Sequence, residues 1–334
     1  MLVSVGFPTG MEGLIYPIPF SDAEDLLLVA KKAEQFGYHS IWGNDHMTTQ
    51  NYVRKEFKTP PRFWEPLTTF AFLAGHTTKL KFGTGLLVLP MRRDIVVVAK
   101  QIATLDQLSG GRLEIGIGVG AYREEFDALQ PNIKAHRGDM VEEGIQALRR
   151  LFTEKTASFD GKYYQFKNVE FQPKPKQEPF PLLIGGNNVN AIRRAALYGN
   201  GWIPAGLHVD KIGEGVKQLH ELAAGVGRDP KSLQVAPQFI CHVGLKHDAA
   251  VARFKQSQMY THLMSLASST LKEQGKLSHE EINLIGEPAE IIEKAHKAKK
   301  AGATHLLGTL FAANTVSELV EQMQMFSELV VPHL

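Results

Sequence analysis

Three consecutive segments decide the fold: LKFGTGLLV (residues 80–88), DIVVVAKQIATLDQL (residues 94–108) and LEIGI (residues 113–117). The first and third are short apolar runs, which are typical of buried β-strands. The middle segment repeats its apolar residues at helical spacing. A strand, a helix and a second strand in this order predict a βαβ unit, in which the two strands run parallel.

The same alternation continues along the whole chain of 334 residues. It predicts eight strands: Leu2–Phe7, His39–Gly43, Leu80–Val88, Leu113–Ile117, Leu182–Ile184, Gly201–Pro204, Leu233–Val243 and Thr304–Leu310. It also predicts the intervening helices Ser21–Phe36, Glu65–Gly75, Asp94–Leu108, Arg137–Phe152, Asn190–Tyr198, Val209–Ala224, Pro288–Ala301 and Thr315–Leu329. This pattern favours a single α/β domain over residues 1–334, a closed (β/α)8 TIM barrel. An open eight-stranded sheet would give the same pattern.

Three segments are longer than a minimal barrel connection needs: residues 48–64, 156–166 and 249–285. The second contains Asp160-Gly161, which predicts a β-hairpin. The first and third follow predicted strands, so both belong to the carboxyl-terminal face of the barrel. Barrel enzymes build their active sites on that face, and we therefore expect these two insertions to be active-site loops or lids.

Composition and charge exclude several classes of function. Lys and Arg total 37 against 35 Asp and Glu, and no polybasic stretch indicates a nucleic-acid or membrane-surface partner. No apolar run approaches the roughly 18 residues of a membrane span, and the first residues lack a signal-peptide pattern, so we expect a cytoplasmic protein. The lone cysteine, Cys241, lies in an apolar run and is expected to be a buried thiol. Histidines are scattered, which disfavours a metal-dependent hydrolase.

Glycines mark the ends of two neighbouring strands. Gly83 and Gly85 lie in the third predicted strand, and Gly116, Gly118 and Gly120 follow one another along the fourth. Because glycine weakens a strand unless backbone must approach something closely, this pattern predicts a flat ligand lying against bare backbone. The fourth-strand series does not have the G-x-G-x-x-G spacing of a dinucleotide-binding fingerprint.

Residues at two further strand ends could take part in proton transfer or bind a phosphate. Asp45-His46 follows the second strand, where an imidazole can exchange protons near neutral pH and an adjacent carboxylate can tune it. The residues alone leave this role and an ordinary structural histidine about equally favoured. Gly185-Gly186 follows the fifth strand and precedes a helix, whose free N–H groups could hold a phosphate. An ordinary strand-to-helix turn is the default there. Core packing is likewise the default for the aromatic residues Trp42, Phe63, Trp64 and Trp202.

These features together resemble the luciferase-like monooxygenase family. The resemblance is carried by Leu105-Asp106, by Leu108-Ser109-Gly110-Gly111-Arg112, by the glycine-rich fourth strand and by Gly185-Gly186. It extends over essentially the whole chain, to Gly286-Glu287-Pro288-Ala289. The family contains FMN-dependent monooxygenases and oxidoreductases that use the deazaflavin coenzyme F420.

The resemblance implies a set of site residues. His46 would be catalytic, and no metal would be bound. A non-proline cis peptide would fall at Gly85–Leu86, behind the central ring of the cofactor. Val119 stands where bacterial luciferase has a phosphate-contacting arginine, which argues against light emission. The residues that would contact the cofactor are Asp45, Gly83, Thr84, Gly85, Leu86, Gly120, Tyr122, Glu124, Gly185 and Gly186.

The resemblance also implies the reaction class without naming the substrate. The Asp45-His46 pattern is similar to that of F420 users, which implies hydride transfer between F420 and a small organic substrate. The alternative is an FMNH2-dependent monooxygenase that inserts oxygen from O2. A second alternative is a non-catalytic flavin-binding homologue. Further expectations are a separate flavin or F420 reductase and a homodimer formed through the second and third helices.

Overall fold

A computed structural model of the chain describes residues 1–266 and 278–334. Within them the strands are β1 (Leu2–Phe7), β2 (Ser40–Gly43), β3 (Lys81–Val88), β4 (Leu113–Gly118), β5 (Thr156–Asp160), β6 (Gln165–Glu170), β7 (Leu182–Gly185), β8 (Gly201–Ile203), β9 (Gln234–Val235), β10 (Ile240–Val243), β11 (Leu284–Gly286) and β12 (His305–Phe311). Strands β5 and β6 form a separate antiparallel pair, and the other strands share one parallel sheet.

Helices follow the barrel strands and pack around them. They are α1 (Ala23–Gln35), α2 (Asn51–Glu56), α3 (Pro66–Ala74), α4 (Ile95–Leu108), α5 (Arg123–Leu129), α6 (Arg137–Thr153), α7 (Val189–Tyr198), α8 (Val209–Gly225), α9 (His247–Lys255), α10 (Gln258–Leu266), α11 (His279–Ile282), α12 (Pro288–Lys300) and α13 (Val316–Leu329). The helix predicted from Ser21 begins at Ala23, with Asp22 as its N-cap. Asp22 caps α1 because its side chain accepts from Asp25 N while Asp25 returns the bond, which forms a capping box.

The segment from β9 to β10 closes the sheet into a barrel. On one side its backbone bonds to β8 and the residues that flank it, with Ala236 N donating to Trp202 O at 2.9 Å. On the other side it bonds to β12, with Leu310 N donating to Phe239 O at 2.9 Å. The prediction of a closed (β/α)8 barrel is therefore confirmed, and the open sheet is excluded.

Two strand predictions need correction. The single strand expected over Leu233–Val243 is divided into β9 and β10, with Pro237 between them. Proline has no N–H to donate and interrupts a strand ladder. The second correction concerns β11, which lies largely inside the predicted 249–285 insertion and pairs with β10. Its three apolar residues were too short a run to stand out from that segment.

The two predicted insertions lie at the carboxyl ends of the barrel strands. Residues 48–64 contain α2, and the buried carboxylate of Glu12 holds this segment by accepting from the Arg62 guanidinium at 2.9 Å. Of the 249–285 segment, most of α9, all of α10 and α11 and the start of β11 are described, and residues 267–277 lie outside the described residues. The β5–β6 hairpin confirms the prediction at Asp160-Gly161.

A tryptophan fills the barrel interior. Trp42 is fully buried and packs with Leu183, Ile203 and Leu307 from other strands and with Ala236, which lies between β9 and β10. Trp202 and Cys241 are also fully buried, as expected of core residues. None of the helices within the described residues combines the length and the apolar character that a membrane crossing requires.

Candidate active site

His46 lies just after β2, at the carboxyl-terminal mouth of the barrel. Its Nδ1 is 2.8 Å from Oε2 of Glu125 and 2.9 Å from the amide nitrogen of Gln50. The rings of Phe63 and Tyr122 stand 5.3 Å and 5.9 Å from the imidazole ring. The imidazole side chain is 11% exposed, so it is largely enclosed while keeping some access to the mouth.

The Glu125 carboxylate determines which ring nitrogen of His46 faces it with a proton. Because a carboxylate only accepts hydrogen bonds, the short contact places a proton on Nδ1 of His46. Glu125 is 3% exposed, and its Oε1 accepts from Met47 N at 3.3 Å. Burial raises the pKa of the Glu125 carboxyl. The hydrogen bond from His46 and the electrostatic interaction with His46 outweigh burial, so the pKa of Glu125 is lowered. The arrangement leaves Nε2, which bonds to none of the described residues, as the nitrogen that can exchange a proton.

Sequence reasoning missed Glu125 and chose its neighbour. Glu124 faces the start of α2, where its carboxylate accepts from Asn51 N at 2.9 Å. One residue further along α5, the direction changes by about 100°, and Glu125 turns inward beside the buried Phe126. The pairing of Glu125 with Phe126 on the inner face of a short helix was the available signal, but no helix was predicted there.

Asp45 does not point at the mouth. It is 2% exposed, and its two oxygens accept from Val88 N at 2.9 Å and from the Arg92 guanidinium at 3.0 Å. Arg92 also binds Glu65, at 2.9 Å. Burial raises the pKa of the Asp45 carboxyl, and Arg92 opposes that change. The carboxylate therefore joins β2 to the end of β3, and its predicted contact with a cofactor stays a prediction.

The peptide between Gly85 and Leu86 is cis, which confirms the expectation for strand β3. Gly83 and Thr84 lie deeper in the strand and are buried. A methyl group at Gly83 would collide with the indole of Trp42, and Thr84 donates to Gly116 O at 2.9 Å. Among the four strand residues predicted to contact a cofactor, only Gly85 and Leu86 are partly exposed.

Leu86 covers the glycines at the mouth. A methyl group added at Gly118 or Gly185 would collide with the Leu86 side chain. In this conformation these glycines make room for leucine, whereas the sequence pattern predicted a ligand directly against their backbone. Gly85 has more space, since the nearest atom to an added methyl group would be 3.7 Å away, in Trp42.

The other predicted contacts surround the same mouth. Gly120 has a left-handed backbone with φ of 79°, and the Arg137 guanidinium donates to its carbonyl at 2.9 Å. Tyr122 stands beside His46, and burial together with the charges of Glu125 and Glu124 raises the pKa of its hydroxyl. The phenol is therefore protonated at neutral pH.

The Gly185-Gly186 turn leads into α7 and offers donors. Gly186 N donates to Ile203 O, so that group is already used. Asn188 caps the helix by accepting from Ala191 N at 3.0 Å. The N–H groups of Val189 and Asn190 find no acceptor among the described residues and remain for an anion. Arg193 and Arg194, on the same helix, both approach Glu142 on α6.

A cavity lies away from the barrel mouth and is lined by none of the predicted site residues. Its volume is about 580 Å³, and it lies near the amino-terminal ends of β7 and β8, between residues such as Arg149, Phe180 and Arg228. Barrel chemistry is placed on the opposite face, so this cavity is not the candidate site. Within residues 1–266 and 278–334, no group of three or more His, Cys, Asp or Glu side chains could hold a metal ion.

Comparison with known proteins gives a family match over nearly the whole chain. The model of the luciferase-like monooxygenase family matches residues 5–332. An F420-dependent hydroxymycolic acid dehydrogenase of Mycobacterium tuberculosis is 29% identical, over 68% of this chain and 61% of that protein. An F420-dependent glucose-6-phosphate dehydrogenase of Amycolatopsis mediterranei is 30% identical, over 60% of each chain.

Solved structures share the fold over the full length. The monooxygenase RslO1 of Streptomyces bottropensis has a TM-score of 0.79 at 19% identity and covers 100% of this chain and 99% of its own. An F420-dependent secondary alcohol dehydrogenase, solved with an F420-acetone adduct, has a TM-score of 0.77 at 20% identity, covering 99% and 98%. At these identities the likeness establishes the fold alone.

Proposed function

The chain belongs to the luciferase-like monooxygenase family, and from that membership we propose that it is an oxidoreductase that transfers hydride between coenzyme F420 and a small organic substrate. The observation that carries the proposal is the His46–Glu125 pair at the barrel mouth. A protein that only bound a flavin would not need a carboxylate-oriented imidazole there. The relatives named for F420-dependent dehydrogenases support the choice of cofactor.

The residues at the mouth fit a deazaflavin or flavin. The partly exposed Gly85–Leu86 peptide and the Tyr122 ring offer surfaces to a flat ring system. The free N–H groups of Val189 and Asn190, at the positive end of the α7 dipole, suit a phosphate group. When bound, F420 would supply a carbon that accepts or returns a hydride, and the protein would supply position and protons.

His46 would carry the proton that accompanies the hydride. In the oxidation of an alcohol, Nε2 of His46 would accept the hydroxyl proton, and the bound cofactor would be the group to which the carbinol carbon gives up its hydrogen as hydride. The carbon–oxygen single bond of the substrate would become a double bond, and the two electrons lost with the hydride would be taken up by that cofactor. Glu125 stabilises the imidazolium that results, because its carboxylate stays within hydrogen-bond distance of Nδ1.

Titration of the purified full chain with F420H2 and with FMNH2, each followed by a measurement of oxygen uptake, tests the proposal. We expect tight F420H2 binding without oxygen consumption, because a reduced deazaflavin reacts poorly with oxygen. Oxygen consumption that depends on FMNH2 would instead establish the alternative, an FMNH2-dependent monooxygenase, for which a separate reductase would be required. Binding of neither cofactor would overturn both functions.

A homodimer through α3 and α4 is part of the proposal. These helices expose three large apolar side chains, Phe72 at 49%, Val97 at 52% and Leu108 at 68%. Large apolar side chains exposed on two packed helices support an interface there. We expect sedimentation velocity to give twice the chain mass of 37.0 kDa, and a mass of one chain at every concentration would contradict the dimer. The cytoplasmic location stays a prediction.

A further inference from the structure

A small cavity lies beside the candidate active site, under the segment that follows β10. Its volume is about 160 Å³, which is room for about five water-sized groups. Buried side chains from four parts of the chain form its apolar walls: Ile15, Phe239, Leu263 and Leu310. None of the described residues that line it is Lys, Arg, Asp or Glu. A charged molecule would therefore lose its hydration there without gaining a Lys, Arg, Asp or Glu partner among the described residues.

One wall carries a buried histidine without a hydrogen bond. His262, on α10, is 8% exposed, and its Nδ1 has no partner. Buried polar atoms are nearly always paired, so an unpaired imidazole beside a cavity indicates a group that arrives with a ligand. Asn283 lines the same cavity, but its amide oxygen and amide nitrogen each already have a partner, since it accepts from Ile240 N and donates to His279 O.

The surroundings keep His262 uncharged. Burial, and then the charge of His46, lower the pKa of His262 to about 4. The imidazole at neutral pH therefore has one N–H donor and one lone pair, which match a hydroxyl or a carbonyl oxygen. Geometry also links His262 to the segment that contacts His46 through Gln50. The Tyr52 ring, two residues from Gln50, stands 5.9 Å from the His262 ring.

We propose that His262 and this cavity form the substrate-recognition subsite, and that it takes an uncharged, largely apolar alcohol or carbonyl compound. The His262 imidazole binds the substrate oxygen or a neighbouring oxygen, the apolar walls hold the carbon skeleton, and His46 exchanges the proton. A phosphorylated substrate would find no cationic Lys or Arg side chain among the described residues that line the cavity. This inference rests on the proposed oxidoreductase function, since it names the substrate class of that site.

Binding of 2-butanone and cyclopentanone to the full chain without cofactor tests the subsite independently of turnover. In protein labelled with ¹⁵N at histidine, we expect either ketone to shift the ring resonances of His262, and glucose 6-phosphate at equal concentration to leave them in place. His262→Phe should weaken ketone binding by about fivefold or more, the loss expected for one hydrogen bond. His262→Asn, which keeps a donor, should recover part of the affinity.

A structural role for His262 would give a different result. Because its Nδ1 has no protein partner, His262→Phe should leave the melting temperature unchanged or higher, whereas removal of a structural hydrogen bond would lower it. His220→Phe, at a half-buried histidine of α8, serves as the control. Unchanged ketone affinity in His262→Phe, no ketone binding by the parent protein, or equal binding of glucose 6-phosphate would each overturn the subsite. Failure of F420H2 and FMNH2 to bind would overturn the proposed function instead.

Discussion

Replacement of His46 by alanine is expected to lower kcat by about 10²- to 10⁴-fold, the range that positioned acid–base groups contribute. The affinity for the reduced cofactor should stay close to that of the parent protein. We expect the loss of kcat because Glu125 holds His46 at the mouth, with Nδ1 at 2.8 Å from the carboxylate, and no other described imidazole bonds to Glu125. Stopped-flow turnover and a cofactor titration of the same preparation measure the two quantities.

Two further variants test whether the decrease in kcat depends on the His46–Glu125 pair. Glu125→Gln keeps the shape but removes the charge beside Nδ1, and loss of a charge-assisted hydrogen bond predicts a decrease in kcat of roughly 10- to 100-fold. The basic or acidic limb of its pH profile should move as well, which a purely structural change would not cause. His220→Ala is the control. Unchanged turnover in His46→Ala would refute the assigned role.

Replacement of Asp45 by alanine is expected to destabilise the fold by about 3 to 5 kcal/mol, the usual consequence of removing one partner of a buried ion pair. Arg92 has a side chain that is only 9% exposed, and without Asp45 it would keep only the partly exposed Glu65. Val88 N would also lose its acceptor. Urea unfolding followed by fluorescence of the tryptophans measures the free energy of unfolding.

The control for this prediction is Asp210→Ala, because Asp210 on α8 is 82% exposed and should contribute little. The comparison also decides between two roles for Asp45. Should Asp45→Ala keep the stability of the parent protein and lose cofactor affinity, the carboxylate would be a cofactor ligand, as the family resemblance implied. If Asp45→Ala loses stability but the folded fraction keeps its cofactor affinity, the role of Asp45 is structural, as a link between β2 and β3.

The sequence by itself determined the architecture and the position of the chemistry. The spacing of apolar residues predicted seven of the eight barrel strands as continuous elements, since strand periodicity is a local property. Placing Asp45-His46 at the end of a strand was enough to put His46 at the mouth, because all strands of a parallel barrel end on the same face. The cis peptide at Gly85–Leu86 came from the family resemblance.

The tertiary structure alone decided which side chains meet. Glu125 is 79 positions from His46 in the chain, and a rotation of one residue along α5 selects it over Glu124. The same kind of long-range contact turns Asp45 toward Arg92 and lays Leu86 over Gly118 and Gly185. Side-chain direction depends on packing between distant elements, and no local pattern records it. The fold could therefore be predicted from periodicity, whereas the partners within the site could not.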